Sequence, residues 1–90
     1  MLLTDDEIDQ ALRALPGWAR EGQTLWRAYR FKGFPEAVAF VDRLVAPAEA
    51  MGHHPDLVIS YNKVVVTLTT HDAGGITRKD LELAKVVSAL

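Results

Sequence analysis

The chain is predicted to form one α+β domain with the element order α-β-β-α-β-β-α, in which three helices pack on one face of a four-stranded antiparallel sheet. Two observations support this prediction. Helical and strand periodicities alternate over residues 1–90, with no repeat, linker or low-complexity segment between them. The strands also come in two pairs, each joined by a short turn, and such pairs form antiparallel hairpins. A sheet covered by helices on one face leaves its other face free for a partner or a ligand.

The N-terminal half is predicted to contain one helix and one hairpin. Thr4 followed by Glu7 three residues later is a capping-box pattern, which marks the start of a helix. Apolar residues then recur at helical spacing, namely Ile8, Ala11, Leu12 and Leu15. A proline–glycine pair ends that helix, and two strands, 18–20 and 25–31, flank a short turn that contains glycine.

A long amphipathic helix is predicted after the first hairpin. Pro35 suits its first turn because no backbone N–H is needed there, and Gly52 is a natural end. The apolar stripe of this helix consists of Ala37, Val41, Leu44, Ala48 and Met51. Pro47 lies inside the helix, where it removes one backbone hydrogen bond and is expected to bend the last turns.

The second hairpin is predicted to turn at Asn62-Lys63. The flanking segments, 57–61 and 64–70, are rich in β-branched residues, which favour strands. Asn tolerates positive φ, so the two-residue turn is acceptable there. Tyr61 would then pair with the residue after Lys63.

The last helix is predicted to begin at Thr77. Asp80 follows three residues later and completes a second capping box. Its apolar stripe consists of Leu81, Ala84, Val87 and Leu90.

The composition narrows the classes of function. The chain has no cysteine, which excludes a disulfide scaffold, a cysteine-based zinc site and a thiol nucleophile. The formal net charge is −2 and the basic residues are scattered, so nothing indicates a nucleic-acid surface. The N-terminus lacks the apolar region of a signal peptide, and no apolar run reaches transmembrane length. We therefore expect a cytoplasmic protein that binds neither nucleic acid nor membrane.

All three histidines of the chain are predicted to lie at one end of the sheet. They occur in two short segments, His53-His54 and His71. Extending the predicted hairpin register places His54 opposite His71, and directly opposed residues have Cβ atoms roughly 5 Å apart. Glu49, four residues before His53, would lie one helical turn back on the same side.

Neighbouring histidines suit reactions that need an acid and a base together. The unperturbed pKa of histidine is roughly 6.5, so one imidazole can be protonated while its neighbour is neutral near cellular pH. Elimination of water requires such a pair, since one group protonates the leaving hydroxyl and the other removes a proton from the adjacent atom.

Two other interpretations of the histidines stay open from their spacing alone. Histidines at a helix end can simply cap backbone carbonyls. A zinc or iron site could use His53, His54, His71 and Asp72 as ligands. Adjacent histidines, however, rarely both reach one ion, and the chain has no His-x-x-x-His pair at helical spacing.

A longer pattern resembles a known family. Glu49-x-x-x-His53-His54-Pro55, followed by Tyr61, His71 and Asp80, is similar to the signature of the pterin-4a-carbinolamine dehydratases. The surrounding segments 61–64, 67–71 and 75–84 also resemble this family, as do residues 17–18 and 31–34. The similarity extends over nearly the whole chain.

The resemblance implies a dehydratase without cofactor or metal, on an α+β fold with a four-stranded antiparallel sheet. Such enzymes remove water from the 4a-hydroxytetrahydropterin left by aromatic amino acid hydroxylases, and the product is a quinonoid dihydropterin. His53, His54 and His71 match the family's active-site histidines. We expect His53 and His71 to transfer protons, and His54 to orient the pterin.

The resemblance also implies contacts to the pterin from two segments, 52–54 and 69–72. Besides the histidines, these contain Gly52, Thr69, Thr70 and Asp72. Glu49 matches a carboxylate near the histidines that can tune them. Asp80 is a signature position in a supporting role, although its predicted cap already accounts for an acidic residue there.

Two positions depart from the pattern of the family. Gly52 stands where animal members carry Asp, and Pro47 interrupts a helix that usually lacks proline. Both departures concern the geometry at the histidines.

Members of the family are dimers or tetramers, and exposed edge strands in a small domain favour association. We therefore expect a homodimer or homotetramer.

Overall fold

The structure is a computed structural model that describes all 90 residues, and it confirms the predicted α+β order. The elements are α1 (Asp5–Leu12), β1 (Ala19–Glu21), β2 (Thr24–Arg30), α2 (Phe34–Met51), β3 (Asp56–Ser60), β4 (Lys63–Leu68) and α3 (Arg78–Ser88). A short 3-10 turn at His71–Ala73 separates β4 from α3. No helix combines the length and the apolar character needed to cross a bilayer.

The sheet has the order β1-β2-β4-β3, and every neighbouring pair is antiparallel. Alternate residues of the central strand β4, namely Val64, Val66 and Leu68, are fully buried. They form one core with helical residues such as Leu44 and Leu83. The intervening residues of β4 are only partly buried, because the opposite face of the sheet carries no helix. The prediction of one covered and one open face is confirmed.

The register of the second hairpin differs from the prediction by two residues. Ser60 pairs with Lys63, so the turn is Tyr61-Asn62, and Tyr61 adopts a left-handed conformation with φ 51°. Asn62 is held by Phe31, which lies outside the hairpin. Its carbonyl accepts from the backbone N–H of Phe31 at 2.8 Å, and its side-chain amide donates to the carbonyl of Phe31 at 3.1 Å. This distant contact determines where the chain turns.

The shifted register changes the neighbours of the histidines but not the faces of the strands. A shift of two residues keeps each side chain on the same face, because side chains alternate with a period of two. Extended beyond the strands, the observed register places Thr69 opposite His54. The predicted opposition of His54 and His71 is therefore wrong, and His71 lies past the strand in the 3-10 turn.

The starts of the helices follow the predicted signals, but α1 ends at Leu12, before the predicted stop at Pro16-Gly17. The capping boxes of Thr4 with Glu7 and of Thr77 with Asp80 are both formed. The central helix α2 runs through Pro47 and stops at Gly52, which has φ 60°. A left-handed residue at this position ends a helix, and glycine adopts that conformation without steric cost.

Candidate active site

The end of α2, the end of β4 and the start of α3 meet around the histidines. The segment after α2 carries His53 and His54 into β3, and the segment after β4 carries Thr70 and His71 toward α3. A bridge between Thr70 and Gly75 closes the loop that holds His71. Each histidine lies next to a carboxylate, and the three carboxylates come from three different elements.

His53 forms a buried pair with Asp80 of α3. Its Nε2 lies 2.5 Å from Asp80 Oδ1, and the two residues are 8% and 0% exposed. The backbone N–H of His53 donates to the carbonyl of Ala48 at 3.1 Å, so the end of α2 fixes its position. No protein group lies at hydrogen-bond distance from Nδ1. Nδ1 is therefore the ring nitrogen left for chemistry.

Asp80 is held by donors on both carboxylate oxygens. Its Oδ2 accepts from the backbone N–H of Thr77 and from the hydroxyl of Thr70, both at 2.9 Å. An ionised carboxylate can only accept, so a neutral His53 carries its hydrogen on Nε2. Nδ1 then has a free lone pair and can take up a proton. This is the arrangement in which a buried carboxylate orients a histidine that acts as an acid or base.

His54 forms an exposed pair with Glu49. Its Nε2 lies 2.5 Å from Glu49 Oε2, and the side chains are 61% and 68% exposed. The predicted proximity of Glu49 to a histidine is thus present, with His54 as its partner. Water and salt screen such a pair, so it contributes little to folding.

His71 has a carboxylate neighbour that the sequence analysis missed. Its Nε2 lies 4.0 Å from Oδ2 of Asp56, and both side chains are largely exposed. Asp56 begins β3, only two residues after His54. The contact therefore keeps His71 at the same end of the hairpin as His54.

The residues predicted to contact a pterin lie in different surroundings. Gly52 is exposed at the end of α2, and Asp72 is exposed in the 3-10 turn. Thr69 donates its hydroxyl to the carbonyl of Gln23 at 2.7 Å. The hydroxyl of Thr70 instead points to Asp80.

Thr77 is a second residue that the sequence analysis connected only with a helix cap. Its hydroxyl lies 2.7 Å from the hydroxyl of Thr70, which in turn contacts Asp80. A cleft of about 640 Å³ opens beside this network, with Thr70, Asp72 and Thr77 among the residues that line it. Thr70 and Thr77 therefore belong both to the surroundings of Asp80 and to the wall of this cleft.

Taken together, these groups form a site suited to proton transfer. It offers one buried histidine with a fixed carboxylate and two exposed histidines with looser ones. No group of three or more His, Cys, Asp or Glu side chains is close enough together to hold a metal ion. The structure is thus an α+β domain in which each histidine lies beside a carboxylate.

Comparison with known proteins identifies the family. The chain belongs to the pterin 4 alpha carbinolamine dehydratase family, whose sequence profile matches residues 1–90. A protein of Cyanothece sp. (strain PCC 7425 / ATCC 29141), provisionally named a pterin-4-alpha-carbinolamine dehydratase, is 56% identical over 89 residues. The match covers 99% of this chain and 92% of that protein.

Two solved structures resemble the fold. A crystal structure described as a transcriptional coactivator/pterin dehydratase from Brucella melitensis superimposes with a TM-score of 0.94 at 37% identity, covering 99% of this chain and 97% of that one. A pterin dehydratase-like protein described as a RuBisCO assembly factor in the α-carboxysome has a TM-score of 0.68 at 26% identity. It covers 81% of this chain and 87% of that one.

Proposed function

We propose that this protein removes water from 4a-hydroxytetrahydrobiopterin, a pterin-4a-carbinolamine, by general acid–base catalysis. The observation that carries the proposal is the buried His53–Asp80 pair, which leaves Nδ1 of His53 without a protein partner. Membership of the pterin carbinolamine dehydratase family supports the substrate class.

The proposed reaction breaks one C–O bond and one N–H bond. In a carbinolamine the hydroxyl is on a carbon bonded to a nitrogen, so loss of water forms a C=N bond. One group protonates the departing hydroxyl at C4a, and another accepts the proton of the neighbouring ring nitrogen. Water leaves, no electrons are exchanged with an outside reagent, and the product is a quinonoid dihydropterin.

His53 and His71 are the proposed pair of proton carriers. His53 acts through Nδ1, since Nε2 is occupied by Asp80. His71 is exposed beside Asp56 and exchanges protons readily with water, which returns the site to its starting state after each turnover. The position of the bound pterin determines which of the two histidines acts as the acid.

The remaining residues are proposed to hold the substrate. His54 orients the pterin, and Glu49 orients His54 in turn. Gly52, Thr69 and Asp72 contribute surface and polar groups around the pterin, in the segments on either side of the histidines. Asp80 acts through His53 and does not touch the substrate.

The test is a stopped-flow measurement of the loss of 4a-hydroxytetrahydropterin absorbance with and without protein. Wild-type protein should accelerate the loss after treatment with a chelator. His53→Ala and His71→Ala should each lower kcat by about 10²-fold, the range expected for a lost general acid or base. Circular dichroism must show that both variants remain folded.

Thr4→Val is the matched control, because it removes a helix cap that makes no hydrogen bond to the histidines or to their carboxylates. This variant should keep the wild-type rate constant. A wild-type rate equal to that of buffer would refute the proposal, and so would full activity in both histidine variants.

The cellular setting is proposed from the same reaction. The substrate is the product of aromatic amino acid hydroxylases, so the protein should act in the cytoplasm beside such an enzyme and return pterin for reduction. We expect a homodimer or homotetramer, which light scattering coupled to size-exclusion chromatography would measure. A monomer at micromolar concentration would contradict that assembly.

A second candidate is a non-catalytic binding module of the same fold. The relative described as an assembly factor favours it, as does the open face of the sheet, where Val58 is 62% exposed. A binding module would associate with its partner equally well as wild type, His53→Ala or His71→Ala. A dehydratase would instead lose its rate in those variants.

A further inference from the structure

We infer that Thr77 is a positioning residue, which acts through the hydroxyl of Thr70 to hold Asp80, and with it His53, in a single orientation. This inference rests on the proposed dehydration, because His53 presents its Nδ1 to the substrate of that reaction. Thr77 does not contact His53 itself. It reaches His53 through two intervening side chains.

The donor and the acceptor can be assigned for each hydrogen bond that links Thr77, Thr70 and Asp80. Asp80 accepts on Oδ2, so the hydroxyl of Thr70 must donate to it at 2.9 Å. A hydroxyl has only one hydrogen, so Thr70 can only accept from Thr77, and the 2.7 Å contact runs from Thr77 to Thr70. Thr77 accepts in turn from the backbone N–H of Lys79 at 3.3 Å. The N-terminus of α3 therefore begins a directed chain of donors that ends at the carboxylate.

Burial makes this chain effective. Asp80 is fully buried and Thr77 is 6% exposed, whereas Thr70 is half-buried beside the cleft, so water is kept from Asp80 but can reach Thr70. Hydrogen bonds in series polarise one another, and a low dielectric strengthens them. Loss of the first donor should therefore loosen Asp80, although Asp80 keeps its own bonds to His53 and to the backbone of Thr77.

The test compares the cap of α3, which is linked to His53 through Asp80, with the cap of α1, which is not. Thr77→Val removes the hydroxyl at the start of α3, and Thr4→Val removes the equivalent cap of α1, which has no link to His53. Thr70→Val breaks the chain next to Asp80. Thr77→Ser restores a hydroxyl and is the conservative rescue.

The first readout is solvent exchange of the Nε2-bound proton of His53, followed by NMR. We expect slow exchange in wild type, Thr4→Val and Thr77→Ser, and exchange about tenfold faster in Thr77→Val and Thr70→Val, since a loosened pair opens more often. The exposed ring proton of His54 provides the fast reference in the same spectrum. Equal exchange in wild type and Thr77→Val would overturn the inference, and so would equal exchange in wild type and Thr70→Val. So would a wild-type His53 proton that exchanges as fast as that of His54.

The second readout is the separation of kcat from KM. We expect kcat to fall about tenfold in Thr70→Val and about threefold in Thr77→Val, with KM within about twofold of wild type, as for a residue that acts only on the chemical step. Thr4→Val should keep both values. If wild type does not accelerate dehydration, the proposed function fails, while proton exchange still decides whether Thr77 positions His53.

Discussion

The chain uses the same helix cap twice, in two different environments. At the start of α1, Thr4 and Glu7 form an exposed capping box. At the start of α3, Thr77 and Asp80 form the same motif, but Asp80 is fully buried and its second oxygen faces His53. The first box only caps the start of a helix, whereas the second also orients a candidate catalytic residue.

This difference shows what burial adds to a local motif. An exposed carboxylate in a cap can be replaced by water, so its removal leaves no group without a partner. A buried carboxylate with three donors cannot be replaced in this way, since every donor would lose its acceptor. The proposed catalysis needs the imidazole of His53 in a fixed orientation. Asp80, which the fold already holds in place, provides it.

Asp80→Asn should have the largest effect on stability. An amide has one accepting and one donating group, so either its NH₂ faces the N–H of Thr77, or His53 must move its hydrogen to Nδ1 and accept the NH₂ on Nε2. We expect the free energy of unfolding to fall by about 3 kcal/mol, as for a broken buried polar pair. Urea unfolding monitored by circular dichroism measures this. Glu7→Gln is the exposed counterpart, and a comparable loss in both variants would contradict the role of burial.

His53→Gln should have an intermediate effect. It leaves Oδ1 of the buried Asp80 with a poorly placed partner, and we expect a loss of about 1–2 kcal/mol in urea unfolding. His54→Gln removes the exposed partner of Glu49 and should stay within about 0.5 kcal/mol of wild type. Equal losses in the two variants would show that the buried pair is no different from the exposed one.

Glu49→Gln should change the salt dependence of the proposed activity more than it changes folding. The carboxylate is exposed, so stability should remain within about 0.5 kcal/mol of wild type. Its effect on His54 is electrostatic, and 1 M salt reduces the screening length to about 3 Å. The ratio of wild-type to variant rates should therefore approach one in 1 M salt. A ratio that does not change with salt would mean that Glu49 acts by shape rather than by charge.

The exposed cap should show the smallest effect, and this effect should disappear in acid. Hydrogen bonds from the backbone and side chain of Thr4 hold the pKa of Glu7 below its usual value of 4.5. The folded state therefore binds this proton more weakly than the unfolded state does. Its contribution to stability is present above the unfolded pKa and is lost as the pH falls through the folded pKa. Glu7→Gln should lower the stability slightly at neutral pH, where the contribution is present, and should flatten the profile in the acidic window where wild type loses it, which urea unfolding at a series of pH values would check.

Much of the fold could be predicted because its signals are local. Hydrophobic periodicity gave the order of the elements, and the spacing of Thr77 and Asp80 gave the start of α3. The hairpin turn was misplaced because Asn62 was judged only by its own tolerance of positive φ. In the structure Asn62 is bound to Phe31, which is 31 residues away in sequence, and the positive φ lies on Tyr61.

The candidate site was predicted less completely because its contacts are not local. The signature indicated the three histidines, Glu49 and Asp80, and Glu49 does lie beside a histidine. The link between His53 and Asp80 spans 27 residues, and no periodicity reports such a contact. Asp56 and the hydroxyl of Thr77 were missed for the same reason, since each is explained locally by a strand start or a helix cap.

The most direct test of the account is the dehydration rate of Asp80→Asn, measured by stopped-flow absorbance beside wild type and Thr4→Val. We expect Asp80→Asn, kept folded by working at low temperature, to lose about 10²-fold or more in kcat, because His53 loses its orienting acceptor. Thr4→Val should retain the wild-type rate constant. An Asp80→Asn variant with the wild-type kcat would contradict the claim that the buried cap prepares His53 for catalysis.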